Sequence, residues 1–250
     1  MKNTPLGEGK PQTQLLARLL EKLYSSNIYE SFICIAVLTF TGGFLNAYTY
    51  VLHGEYLSTM NTGNMARIGL AIAAGDMAGT APYFMSIAGN ALGAMTTFIC
   101  RALLAGKLKD QWQKVCLWAE MGIFLCVGLL PTELLHTPIN FLISFMAGFQ
   151  LASFTMWEGN LVATTIASGN IRFVGEYMGN AILNPTWKNF IKLFLFVAIT
   201  VSFVFGVVFG ARLSGDWGRY SIFFVCFLLL VLLFLEGDIT RKNKASVARA

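Results

Sequence analysis

The chain has 250 residues, 56% of them hydrophobic and only 12% charged, with a mean hydropathy of +0.61 and a formal net charge of +5. A soluble domain carries roughly 25% charged residues, so this composition excludes an ordinary soluble protein and predicts an integral membrane one. The length suits a single bundle, and a charge of +5 fits basic cytoplasmic loops and makes no case for nucleic acid.

Residues 1–30 are polar and lack the apolar core and small-residue cleavage site of a secretory signal, so no cleaved leader is expected. They are read as a cytoplasmic tail, in which "TQLLARLLEKLY" could lie on the membrane surface or form a solvated helix. A bilayer core of about 30 Å needs about 20 apolar residues. Six segments come close: 31–52, 82–104, 115–131, 138–157, 188–211 and 219–236. Two more, 55–76 and 160–183, each carry polar residues and an arginine. Residues 237–250 form a basic tail.

The halves resemble each other. Gly43, Ala47, Gly54 and Thr59 match Gly148, Ala152, Gly159 and Thr164. One inserted residue brings Thr62-Gly63-Asn64 onto Ser168-Gly169-Asn170, and "GNALGA" from Gly89 matches "GVVFGA" from Gly206. A duplication is the simplest cause. It divides the membrane domain, 31–236, into repeats at about 31–131 and 138–236.

Charge then sets the topology. Lys and Arg prefer cytoplasmic loops, and both tails are basic, so both ends are expected inside. Leaving out Arg67 and Arg172, eight crossings would put ten basic residues inside and six outside. Six crossings put 14 inside and two, Arg212 and Arg219, outside. The expected fold is therefore an all-α polytopic membrane protein with six transmembrane helices and two broken or re-entrant segments. Three crossings per half make it a 3+3 inverted repeat, an arrangement shared by many transporters.

The re-entrant segments carry the chemistry. Half the hydrocarbon depth is about 15 Å, within reach of the extended chain from Glu55 to Thr62 at about 3.3 Å per residue. Thr62-Gly63-Asn64 would then cap a helix running from about Asn64 to Gly75, with Gly63 allowing unusual dihedrals or close approach. Ser168-Gly169-Asn170 would do the same for a helix toward Ala181. Irregular backbone at this depth must be buried or line a wet cavity. Two helix N-termini facing one cavity favour an anion or a carbonyl oxygen. The candidate substrate-binding residues are Thr62, Gly63, Asn64, Arg67, Ser168, Gly169 and Asn170, with further hydroxyls from Thr59, Thr164 and Thr165. Packing glue is the competing role for each. Arg172 has Glu176 one turn on, a spacing suited to an ion pair. Arg67 has none, so a bound anion is one candidate partner. Asn46 and Gln150 could face the cavity or bond between helices. His53, Glu55, Glu133 and His136 could gate by protonation, or be plain loop residues.

The remaining signals exclude more than they assign. Cys34, Cys100, Cys116, Cys126 and Cys226 lie in or beside apolar segments with no CxxC pair, and only two histidines exist. Neither disulfides nor a metal or other cofactor are expected. No phosphate loop, nucleophile elbow or HExxH pattern is found, so no enzyme is expected.

"GGFLNAYTYVLHG", "MNTGNMARIGLAIA" and "ATTIASGN" together resemble the YoaK-like family of bacterial multi-pass membrane proteins of unknown function, over roughly residues 31–236. The resemblance implies about six transmembrane helices in the inner membrane and supplies no substrate. The family pattern places an Asp where this chain has Asn46, and Gln-Asn-Ala where it has Gln150-Leu151-Ala152. The expected function is a channel or secondary transporter for a small polar or anionic solute. The alternative is a non-transporting scaffold or partner subunit. The expected partners are the lipid bilayer and the solute, and a homo-oligomer is compatible with both functions.

Overall fold

The structure, a computed structural model, describes residues 28–108, 111–131, 136–157, 160–165 and 167–247. The surface segment expected at residues 13–24 lies outside them, as does Glu133. The helices are α1 (Phe32–Leu52), α2 (Asn61–Ala73), α3 (Ala81–Leu108), α4 (Trp112–Leu129), α5 (His136–Ser153), α6 (Ser168–Leu183), α7 (Trp187–Trp217) and α8 (Ile222–Val247). Between α5 and α6, Met156–Trp157 (β1) pairs antiparallel with Asn160–Leu161 (β2). This corrects the expectation of a span reaching residue 157: α5 stops at Ser153, and Met156 and Trp157 belong to the strand pair.

Local chemistry sets several ends. The Ser31 hydroxyl accepts from the Cys34 N–H at 3.2 Å and starts α1. Thr186 caps α7 by accepting from the Asn189 N–H at 3.4 Å. Pro185 follows α6 and blocks its continuation. Gly218, at φ 55°, turns the chain between α7 and α8, a conformation that only glycine adopts cheaply.

Among the described residues four stretches are long and apolar enough to cross a membrane: Phe32–Leu52, Ala78–Leu104, Trp112–Leu129 and Trp187–Gly237. The last holds both α7 and most of α8. Helix α5 is not among them. It carries Asn140, Ser144, Gln150 and Ser153, all buried. A helix surrounded by protein can bond such groups within the bundle, which a lipid-facing helix cannot.

Contacts fix the helix directions. We call the end where α1 begins the lower end. Helix α7 runs parallel to α1, since Gly206 lies against Phe40 and Gly210 against Phe44 and Ala47. Helix α8 returns downward along α4: Gly128 meets Ile222 and Phe223 near the top, and Lys114 pairs with Glu236 at 3.0 Å near the bottom. Helix α5 descends, from Asn140, whose amide donates to the His53 carbonyl at 3.0 Å, to Ser153, which accepts from the Trp112 indole at 2.9 Å. Helix α3 descends beside it, with the Thr97 hydroxyl donating to the Phe149 carbonyl at 3.1 Å.

Two helix pairs pack at backbone contact. A Cβ on Gly43 would fall on the Phe203 carbonyl oxygen of α7, and one on Gly148 would fall on the Asn90 carbonyl oxygen of α3. Glycine is required at both because the neighbouring backbone occupies the space of a side chain. The facing glycines follow the same pattern: Gly206 lies on the Phe40 carbonyl and Gly93 on the Phe145 carbonyl. In contact terms Gly93, not Gly89, is the counterpart of Gly206. The sequence match sits one helical turn away because both stretches repeat glycine every four residues.

Candidate functional site

The site grows from the loop after α1. Gly54 at φ 87° and Glu55 at φ 61° turn the chain back on the helix it has just left. The Thr49 hydroxyl then donates to the Tyr56 carbonyl at 2.8 Å. One helical turn lower, the Asn46 side-chain oxygen accepts from the Thr59 N–H at 3.1 Å, and its amide donates to the Thr59 hydroxyl and to the Gly42 carbonyl. The loop therefore descends to the middle of α1, whose central residue is Gly42.

The loop after α5 comes from the other end. Trp157 packs on Phe32 and Phe196 near the lower end, within an apolar cluster that includes Ile35, Val162 and Ile199. Thr164 and Thr165 then lie against Gly42, where a Cβ would sit 2.8 Å from the Thr165 Cα and 2.9 Å from the Thr164 oxygen. The two loops touch at this level: the Thr59 hydroxyl donates to the Thr165 carbonyl at 2.9 Å. Helix α2 leaves from here toward the upper end, where Tyr83 of α3 meets Arg67. Helix α6 leaves toward the lower end, with Tyr177 stacked on Phe196 and the Asn180 carbonyl accepting from Asn189 of α7.

The structure corrects how "NTGN" and "SGN" were expected to act. The helices begin three and two residues earlier than Asn64 and Asn170, at Asn61 and Ser168. Their caps are Met60 and Ala167, neither of which makes a side-chain capping bond. The Asn64 N–H already bonds the Met60 carbonyl at 3.1 Å, so this residue closes the first turn. Both asparagine side chains instead tie helix to loop seven residues back. Asn64 donates to the Leu57 carbonyl at 3.3 Å. Asn170 donates to the Ala163 carbonyl at 2.9 Å and accepts from the Ala163 N–H at 3.3 Å. Gly63 takes no left-handed conformation and has nothing within 4 Å of its Cβ direction, so neither expected reason for a glycine holds there. Gly169 meets only the Ala163 Cβ, at 3.7 Å. Thr62, Gly63, Ser168 and Gly169 are exposed at the helix starts, while Asn64 and Asn170 are buried.

The arginines find protein partners. Arg67 donates to the Tyr83 hydroxyl at 3.3 Å and lies over that ring at 5.7 Å. Arg172 pairs with Glu176 at 3.0 Å, as their spacing requires. Neither leaves a cation that only an anion could satisfy.

The unsatisfied groups lie elsewhere. The Thr164 and Thr165 hydroxyls and the Gln150 amide nitrogen are buried and have no hydrogen-bond partner among the described residues. Near the upper end His53 is buried, with its ring 5.2 Å from Tyr48 and 5.7 Å from His136. Burial, with a smaller contribution from His136, pulls its pKa down to about 4. Asn140 joins this end to the loop by accepting from the Ser58 hydroxyl at 2.8 Å. Glu120, in α4, went unremarked in the sequence. It is fully buried, and neither carboxyl oxygen has a partner among the described residues. Its signal was plain: one acid inside "VCLWAEMGIFLCVGLL", where an ionisable residue marks function by default.

Residues 34–235 match the family described as "Protein of unknown function (DUF1275)", and the chain belongs to that family. No curated protein and no solved structure matches the chain.

Proposed function

We propose that this DUF1275 member is a channel or secondary transporter for a small polar or anionic solute, with its path through the meeting point of the two loops. The observation that carries the reading is the contact from Thr59 to the Thr165 carbonyl at mid-helix, beside buried Thr164 and Thr165 hydroxyls with no partner among the described residues. Buried hydroxyls of this kind cost stability unless something bonds them. A passing solute or its water would do so. The N-termini of α2 and α6 start at the same level and favour negative or carbonyl oxygen atoms. Thr62, Gly63, Ser168 and Gly169 present small exposed surfaces there. Asn64 and Asn170 hold the half-helices in place, and Arg67 sits toward the rim with Tyr83.

On this reading α1, α3, α4, α5, α7 and α8 cross the bacterial inner membrane, and α2 and α6 return to the side from which their loops entered. The parallel pairs α1 with α7 and α3 with α5 support a 3+3 inverted repeat, because each joins the first crossing of one half to the middle crossing of the other. The termini are then cytoplasmic, together with Lys114, Lys188 and Lys192. The quoted motifs support a likeness to the YoaK-like members.

Flux of small carboxylates and amides into proteoliposomes tests the function. Thr164→Val and Thr165→Val should lower flux about tenfold while leaving the melting temperature unchanged. If the wild-type protein moves no solute, the scaffold reading stands, favoured by the fully local bonding of the Asn64 and Asn170 amides. A Lys107→Cys variant labelled by an impermeant reagent from outside intact cells would overturn the six-crossing topology.

A further inference from the structure

Glu120 sits near the middle of α4, eight residues after Trp112 and nine before Leu129. Its surroundings are the main apolar core, in which Cys34, Leu38, Cys116, Leu117, Phe124 and Leu229 are buried. The side chain is 0% exposed. Neither oxygen accepts from any donor among the described residues. A buried carboxylate is ordinarily held by an arginine, a lysine or several N–H groups. This one has none among the described residues, and Lys114, two turns below, is engaged with Glu236.

The titratable groups around it are few. Cys116 lies one turn below on the same helix, and Cys34 faces it from α1, both within electrostatic reach. Tyr29, below α1, is within reach of Cys34, Cys116 and Glu236. From α8, the Cys226 thiol lies 3.9 Å from the carbonyl of Met121, the residue after Glu120. Helix α5 brings only His136, at the opposite end. None is a cation able to neutralise the carboxylate, so the ion that completes this site is the smallest one, a proton.

We propose that Glu120 is the proton-binding site of the bundle and, resting on the transport reading above, the group on which a proton travels with the solute. The carboxyl gains a proton at one oxygen on binding and returns it on release, with no other bond made or broken. Tyr29, Lys114 and Glu236 mark the lower end as the nearer side for exchange.

A lipid-soluble carbodiimide tests the site directly, because it adds only to the protonated carboxyl and gives a stable N-acylurea in an apolar setting. The full-length protein in lipid nanodiscs should be labelled at Glu120. The yield should fall about tenfold per pH unit above the titration midpoint. Glu120→Gln should abolish the label and the infrared C=O stretch of an un-ionised carboxyl, and Glu120→Asp should keep both. Absence of label and band from the folded wild-type protein at every pH, or a yield independent of pH, overturns the proposal. The coupling is read in proteoliposomes: a pH gradient should drive solute accumulation by the wild type. In Glu120→Gln that accumulation should be lost while solute exchange persists. Equal accumulation by both overturns the coupling. Absence of any wild-type flux overturns the transport reading and leaves the labelling result to decide the proton site.

Discussion

The two polar breaks carry matched sequences and reach one level of the bundle, yet they are held by different forces. The first loop hangs on side-chain hydrogen bonds. Thr49 fixes Tyr56, Asn46 fixes Thr59, Asn140 bonds both Ser58 and the His53 carbonyl, and Thr59 reaches across to Thr165. The second loop hangs on the apolar cluster around Trp157 and Phe196, with Asn170 as its polar tie. The position matching Asn46 is Leu151, which has no amide to offer, and the Thr165 hydroxyl has no partner among the described residues. Both loops thus reach the middle of the bundle, while their polar groups are bonded in different ways. On the proposed reading, the loop with spare hydroxyls is the one that receives the solute.

The largest effects should come from the packing that both halves share. Gly43→Ala and Gly148→Ala each drive a methyl into a carbonyl of the facing helix, so each should lose stability toward the upper end of about 1–3 kcal/mol. Thermal unfolding in detergent measures this. Equal losses would support a common design, and a loss at Gly43 alone would break the equivalence. Gly63→Ala is the contrast. It meets open space inside a helix and should be neutral or stabilising by up to about 1 kcal/mol.

The next effect separates the loops. Asn46→Ala removes the acceptor of the Thr59 N–H and the amide donor to its hydroxyl, and should cost about 1–2 kcal/mol. Thr165→Val removes a hydroxyl with no partner among the described residues and should cost nothing measurable. A large loss on Thr165→Val would mean that an unseen bond holds the second loop too. The asparagine ties rank below these. Asn170→Ala loses two bonds and should cost about 1 kcal/mol, and Asn64→Ala loses one longer bond and should cost about half that.

Much of this was legible in the sequence, and the misses have physical causes. Apolar length located the helices, and the polar interruptions located both half-helices. The spacing of Arg172 and Glu176 gave their ion pair. The helix starts were misplaced because an asparagine after a glycine looks like a cap. Only the backbone shows that Asn64 is already inside the first turn, with its amide turned back to Leu57. That tie spans seven residues and depends on a loop path that no local rule encodes. Trp157 read as the end of a span because hydropathy cannot distinguish a helix end from a strand pair buried under Phe32. Glu120 is visible in the sequence as a lone acid in an apolar run. Its lack of a hydrogen-bond partner among the described residues is a three-dimensional fact.

The last effect is one of pH, and it should touch only the first loop. His53 ends α1, and its carbonyl receives Asn140, while its ring is buried beside Tyr48 and His136. Burial, and then His136, depress its pKa from 6.5 to about 4. The folded state therefore binds fewer protons than the unfolded chain between those values. Stability is highest above pH 6.5 and declines as pH falls toward 4, because the unfolded chain takes up the proton first. Between about pH 7 and pH 5 the loss should be on the order of 1 kcal/mol. Hydrogen exchange should show protection falling first at residues 53–60, with residues 160–170 unchanged over the same range. His53→Gln should remove the pH dependence while keeping the backbone carbonyl that Asn140 needs. If both loops open together as pH falls, the loops are one mechanical unit joined through Thr59 and Thr165, and the separate anchoring of the two breaks is wrong.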